Sequence, residues 1–316
     1  MKHLKTPAGC YTMLCLLFTL LGTVGQSLAL RFGYDCFYGV YRTDSSIGTV
    51  VAWCLFAFVI LLSSALLILP KDKQPDEIAP CGNGLAFFSS VGGVASICTS
   101  LLVFLDVMQQ NGAIKTLSLL LLLFSLPTGA YLILSALSQK KEDKLLTVLG
   151  FFPVIWLALC LVRIYFDRTS AINDPMQILL QISLAAIMLY FLTELRARVG
   201  KPGSRLRLVA GMTATLLGSA SSVSIIFLYI SLQNGKNGSS LLGFRTVITR
   251  GECMLAVFEL LLSFYIIGRL WTFDQASSAP LPVGNNTDGE AVASDEPSDE
   301  APSQEALPGT GTSSES

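Results

Sequence analysis

The chain has 316 residues, of which 52% are hydrophobic and 14% charged, and its mean hydropathy is +0.61. Soluble domains carry about 25% charged residues, so these figures exclude an ordinary water-soluble domain and point to lipid as the solvent. The formal net charge of −1 hides a split: nine acids and no bases lie between Asp274 and Ser316, and the part before them is net positive. Nowhere is there a basic block of the kind nucleic-acid binding requires, so no nucleic-acid partner is expected.

Taken in order, the chain offers eight apolar runs with few charges. The first, Cys10–Leu30, follows Lys2 and Lys5. The apolar region of a signal peptide spans about 7–15 residues and ends in a small-residue site. This run is longer and has no such site, so it is expected to remain as a helix. The others are Thr49–Leu69, Leu85–Leu105, Leu117–Leu137, Leu145–Val162, Met176–Thr193, Leu208–Ile230 and Arg250–Arg269. Each has the roughly 18–23 residues a helix needs to cross about 30 Å of hydrocarbon. Lipid cannot satisfy free backbone groups, so such runs must be helical. The expected fold is all-α: a polytopic bundle of eight transmembrane helices over residues 1–271.

Orientation follows from the basic residues. With a cytoplasmic N-terminus, thirteen Lys and Arg fall in inner segments and eight in outer ones, which favours cytoplasmic termini. The segment from Glu194 to Arg207 contributes most, and Tyr34, Tyr38, Tyr41, Trp53, Tyr165 and Tyr229 fall near the outer interface. From Thr272 the composition turns to Pro, Gly, Ser and acids, with little to bury. Residues 272–316 are therefore expected to be a disordered cytoplasmic tail. Asn237 and Asn285 each begin a glycosylation sequon, a weak pattern by itself.

The two halves of the membrane region resemble each other. Arg31-x-x-Tyr34-Asp35 ends the first helix and Arg163-x-x-Phe166-Asp167 the fifth. Gly93-Val-Ala-Ser96 in the third helix matches Gly218-Ser-Ala-Ser221 in the seventh, and Gln110-Asn-Gly and Gln233-Asn-Gly follow them. Four helices per half would enter from the same side, which implies a parallel four-plus-four repeat about the membrane normal.

Several features carry alternative readings. Arg31/Asp35 and Arg163/Asp167 are i,i+4 pairs on a continuing helix, serving either as interfacial caps or as matched charges at the outer mouth of a pathway. Gly92, Ser96 and Ser100, and likewise Ala214, Gly218 and Ser222, form stripes of small residues, for close packing or for a polar pathway. Pro127 and Pro153 free the carbonyls of Leu123 and Leu149 and should kink their helices, as simple bends or as gates. The eight cysteines show no ligand-like spacing. Most read as small hydrophobes, and a disulfide among Cys36, Cys160 and Cys253 stays open. His3 is the only histidine, and no hydrolase, nucleotide-binding or metalloprotease motif is present. Neither enzymatic activity, a cofactor nor a metal is expected.

The deepest charged residue is Glu259. Arg250 and Arg269 bracket its helix nineteen residues apart, or about 28 Å, which places Glu259 near the bilayer midplane. An acid there costs about 2.5–3.5 kcal/mol on insertion scales, so it should face the bundle interior. It is expected to be neutral, donating to Ser219, Ser222, Thr99 or Gln181. It serves either as a coupling group for a proton or cation, or as an interhelical hydrogen-bonding group.

The residues Arg163, Tyr165, Asp167, Asn173, Pro175, Gln181, Glu194 and Arg196 resemble a group of uncharacterised multi-pass membrane proteins of clostridia-type bacteria, best over residues 165–200. The resemblance implies a bacterial inner membrane and brings no activity with it. Two functions are expected of such a chain. One is a small-solute or ion permease; the other is a non-transporting membrane scaffold or accessory subunit that docks a partner. Membrane lipid is an expected partner, and a protein partner or a homo-oligomer stays open.

Overall fold

The hydrocarbon-length runs fold as helices in the computed structural model of the chain, which describes residues 7–35, 40–42, 46–68, 82–109, 115–137, 144–166, 174–201, 203–235 and 248–277. Among the described residues eight helices are long and apolar enough to cross a membrane, which makes this a multi-pass membrane protein. They are α1 (Pro7–Gly33), α2 (Ile47–Ile68), α3 (Asn83–Gln109), α4 (Lys115–Leu137), α5 (Lys144–Phe166), α6 (Pro175–Arg198), α7 (Ser204–Gly235) and α8 (Arg250–Ser277). The tail after Ser277, both sequons, Cys36 and Asp167 lie outside the described residues.

Polar residues fix the helix ends. Asp174 caps α6 by accepting the Met176 N–H at 2.9 Å, and Pro175 occupies the first turn, where no N–H is required. Gly200, at φ 77°, ends α6, with its N–H bonded to the Ala197 carbonyl at 2.9 Å; this left-handed position favours glycine. At the start of α8, Thr249 and Glu252 form a reciprocal capping box. The Thr249 N–H donates to Glu252 Oε2 at 2.9 Å and the Glu252 N–H to Thr249 Oγ1 at 3.2 Å, as the T-x-x-E spacing allows. Asp106 of α3 reaches across to accept the Gly251 N–H at 3.1 Å.

The two expected proline kinks separate. At Pro153 the missing N–H leaves the Leu149 carbonyl without its usual donor, and α5 breaks at Gly150 between Leu149 and Phe151. By contrast α4 runs unbroken through Pro127. The hydroxyls of Ser125 and Thr128 donate there to the Leu122 and Phe124 carbonyls at 2.7 and 2.8 Å. After α1 the chain does not continue as a helix to Asp35: Tyr34–Asp35 pairs with Val40–Tyr41 in a short antiparallel hairpin.

Packing sets α3, α4, α5, α6, α7 and α8 in a closed ring, in which each helix contacts the next and α8 returns to α3. α1 and α2 lie outside it, against α7. α7 is accordingly the most buried span, at 67% of its apolar window, and α2 the least, at 17%. The ring interior is crossed by aromatic side chains. Trp156 of α5 meets Phe258 of α8 edge to face, with centroids 4.9 Å apart, and its indole N–H donates to Ser100 of α3 at 2.9 Å. Tyr131 of α4 meets Phe191 of α6 at 6.3 Å.

The expected four-plus-four repeat does not appear in this packing. Matched glycines do serve matched contacts. A Cβ at Gly93 would lie 2.7 Å from the Gly129 carbonyl of α4, and one at Gly218 would lie 2.7 Å from Ser263 Oγ of α8. The likeness is not general. α6 packs along α7, but the equivalent α2–α3 contact is not among the substantial interfaces, and α4–α5 far exceeds its counterpart α8–α1. Small residues alone bring helices close; they do not impose the symmetry. Hydroxyls in the stripes mostly bond their own helix, as Ser96 does to the Gly93 carbonyl at 2.8 Å. That arrangement lets the stripes pack closely without unpaired hydroxyl protons.

Candidate functional site

Chain alternation makes α6 and α8 run in the same direction, so residues at similar distances along them face each other level by level. Ser183 and Glu194 of α6 are eleven residues apart, and Glu259 and Arg269 of α8 are ten, or about 15–17 Å in each helix. Two polar levels result, one at Ser183–Glu259 and one at Glu194–Arg269.

At the first level Glu259 is fully buried. Ser183 Oγ donates to Glu259 Oε1 at 2.6 Å, and the same Oγ stands 2.8 Å from the Leu180 carbonyl of its own helix. The Ser221 hydroxyl of α7 lies beside the carboxyl, yet neither Ser221 Oγ nor Glu259 Oε2 completes a hydrogen bond. Gly218, one turn before Ser222, leaves the room that lets α7 approach Glu259 and Ser263. The partner of Glu259 thus differs from the four expected. Thr99 is buried but donates to the Ala95 carbonyl at 2.7 Å, and Ser222 contacts the Ser219 carbonyl at 3.3 Å. Ser219 itself is buried without reaching the carboxyl, and Gln181 is half-buried with no bond to it. Gln181 stands two residues from Ser183, about 200° round the helix, which explains why it misses.

The second level lies where α4, α6 and α8 end and α7 begins. Glu194 and Arg198 of α6 pair at 3.2 Å, with side chains 2% and 10% exposed. Tyr265 of α8 donates to Glu194 Oε1 at 3.4 Å and accepts from Arg269 Nε at 3.1 Å. The Arg198 guanidinium covers the Tyr131 ring at 5.5 Å, a cation–π contact. Arg207 of α7 and Arg269 are also buried, and Arg269 is linked to Glu194 through the Tyr265 hydroxyl. From the sequence the segment from Glu194 to Arg207 counts only toward orientation; the fold turns Glu194 and Arg198 inward toward residues some seventy positions away.

Of the charges expected at the outer mouth, the side chains of Arg31 and Arg163 are described. Arg31 is exposed and lies over its neighbour Phe32, 5.5 Å from the ring centroid, and Asp35 is on a strand rather than one helical turn away. Arg163 is buried, one turn from Cys160; Asp167 lies outside the described residues. Cys160 and Cys253 are free thiols. At the same end Asp174 is buried and accepts the Tyr34 hydroxyl at 3.1 Å. Burial pushes its carboxyl above the ordinary aspartate range, against the opposing hydrogen bonds from Met176 and Tyr34. Gln26 donates to Tyr41 at 3.0 Å, and burial raises the Tyr41 phenol.

Among the described residues no group of three or more His, Cys, Asp or Glu could hold a metal ion. Ser183 and Ser221 carry no sequence signal that separates them from the other intramembrane serines; only the neighbour across the ring distinguishes them. No protein-family model, curated protein or solved structure matches the chain.

Proposed function

We propose that the protein is a permease for a small solute or ion, with the interior of the α3–α8 ring as its pathway and Glu259 as the coupling group. The observation that carries this reading is the geometry at Ser183. One hydroxyl proton cannot serve both Glu259 Oε1 at 2.6 Å and the Leu180 carbonyl at 2.8 Å. With a proton on Glu259, both short contacts become hydrogen bonds. The unfilled Glu259 Oε2 and Ser221 Oγ are oxygen atoms that a cation would use if it replaced that proton. A buried acid of this kind is by default a functional site in a membrane protein.

The test is reconstitution into vesicles with an internal pH dye, screening solutes under an imposed proton or sodium gradient. The expectation is solute-dependent proton or cation movement that Glu259→Gln abolishes without loss of folded protein. Solute flux undiminished in Glu259→Gln would end the coupling role. A second reading, a non-transporting scaffold or accessory subunit, draws on the filled interior: Trp156, Tyr131, Tyr190, Tyr265, Phe191 and Phe258 are all fully buried. Absence of flux together with a fixed partner on purification would favour it.

The excess of basic residues at the Arg198 end favours a cytoplasmic position for that end and for both termini. The sequence resemblance adds a bacterial inner membrane as the setting. Labelling of Ser303→Cys by an impermeant reagent in intact cells, on a cysteine-free background, would reverse the orientation.

A further inference from the structure

We infer that the ion taken at Glu259 is a proton, and that Ser183 is the residue that selects it over an alkali cation. What that proton does rests on the permease reading; its presence on Glu259 is tested without transport.

The selection is geometric. Two oxygens that bind one hard cation at right angles, each at about 2.3–2.6 Å, stand roughly 3.3–3.7 Å apart. Ser183 Oγ and Glu259 Oε1 stand 2.6 Å apart, the separation of a hydrogen bond. That gap holds a hydrogen atom and no larger ion. The same Oγ is kept close to α6 by its 2.8 Å contact with the Leu180 carbonyl, the usual back-bond of a helical serine. With the proton on Oε1, Glu259 donates to Ser183 and Ser183 donates to Leu180, so each of the two protons has its own acceptor.

The other edge of the carboxyl falls short of a cation shell. A cation gives up its water only where protein oxygens replace it, and hard cations take about six or more. Among the described residues, Glu259 Oε2 and Ser221 Oγ are the two buried oxygens at this level with no partner. Thr215, whose hydroxyl is also unpartnered, is six residues from Ser221, about 9 Å along α7. The Ser263 hydroxyl is engaged by the Glu259 carbonyl at 2.9 Å. α6, α7 and α8 run unbroken past this level, so their carbonyls stay bonded within their own helices. An unpartnered Oε2 is also less costly on a neutral carboxyl than on a carboxylate.

Infrared difference spectra of the full-length protein in nanodiscs, wild type minus Glu259→Gln, isolate the carboxyl band of residue 259. Glu259→Asp supplies a second subtraction if the first variant does not fold. Spectra are taken in choline, sodium and lithium chloride at one pH and one ionic strength. The expected result is a protonated-carboxyl C=O band, shifted in heavy water, of equal intensity in all three salts. Ser183→Ala should move that band to the position of a carboxyl without a hydrogen-bond acceptor, and Ser183→Thr should restore it. Ser222→Ala, whose hydroxyl contacts the Ser219 carbonyl instead, should leave it in place. A carboxylate in choline, or loss of the band in sodium or lithium, overturns the proton assignment. A band unmoved in Ser183→Ala overturns the role of Ser183. Sodium-driven flux with loss of the band would refute the proton and keep the permease. An intact band without flux under any gradient would end the permease and keep the proton.

Discussion

Replacing Gly93 by alanine tests a close backbone contact between α3 and α4. A Cβ there would lie 2.7 Å from the Gly129 carbonyl oxygen, 2.9 Å from Ile133 Cγ1 and 3.4 Å from Leu132 Cβ. Carbon–oxygen contacts of this type settle at about 3.3–3.6 Å, so α3 and α4 must part by about 0.6 Å or more. The obstacle is backbone on both sides: a Cβ at Gly129 would meet the Gly93 carbonyl at 2.8 Å. A gap of that size forfeits about a quarter of the dispersion energy of each affected atom pair. Overpacking costs about 1–3 kcal/mol, and the better helix propensity of alanine returns up to about 1 kcal/mol. The expected net loss is about 1–2 kcal/mol, which corresponds to a fall of a few degrees in melting temperature. Gly92 is the internal control, since its added Cβ would meet only Leu262 Cδ2 at 3.9 Å and Leu132 Cδ1 at 4.0 Å. Gly92→Ala should be neutral or slightly stabilising. The double variant Gly93→Ala/Gly129→Ala should lose less than the sum of the singles, because the first substitution opens the gap the second one fills. The measurement is the fraction of monodisperse protein left after heating in detergent. Equal losses at Gly92 and Gly93, or none at Gly93, would refute the reasoning.

Two further outcomes follow from single contacts. Trp156→Phe keeps the edge contact with Phe258 but removes the indole N–H bonded to Ser100 at 2.9 Å; it should cost about 1–3 kcal/mol, and the further change Ser100→Ala should recover part of that in the same melt. Asp174 binds its proton more tightly in the folded protein than in the unfolded chain, because burial dominates. Stability should therefore fall as pH rises from the ordinary aspartate value of about 3.9 through the folded value, then level off. Asp174→Asn keeps a good helix cap and should flatten that dependence, whereas an unchanged pH profile would remove Asp174 as its source.

The legible part of the candidate site was Glu259 itself. Two flanking arginines and the rise per residue are enough to place an acid at depth, and cost alone sends it inward. Its partner was not legible, since Thr99, Gln181, Ser183, Ser219, Ser221 and Ser222 all sit at suitable depths and differ only in the direction their helices turn them. Glu194 and Arg198 were legible only as part of the charged segment that sets orientation, because Tyr265 and Arg269 are about seventy residues away. The Thr249-x-x-Glu252 box was a local signal open to direct reading.

The sequence by itself determined the eight spans, because a helix across lipid answers to one segment's length and apolarity and needs no neighbour to form. α4 ends at Leu137 and α8 begins at Arg250, as the composition indicates, and the other ends differ by between one residue and about two turns. Only the tertiary structure decided that six helices close into a ring with α1 and α2 outside, that the repeat is not carried into the packing, and that Ser183 meets Glu259. In lipid the hydrophobic effect does not choose between neighbours, since hydrocarbon is as apolar as leucine. The choice rests on close contacts such as Gly93–Gly129 and on buried polar pairs, and both depend on two helices at once.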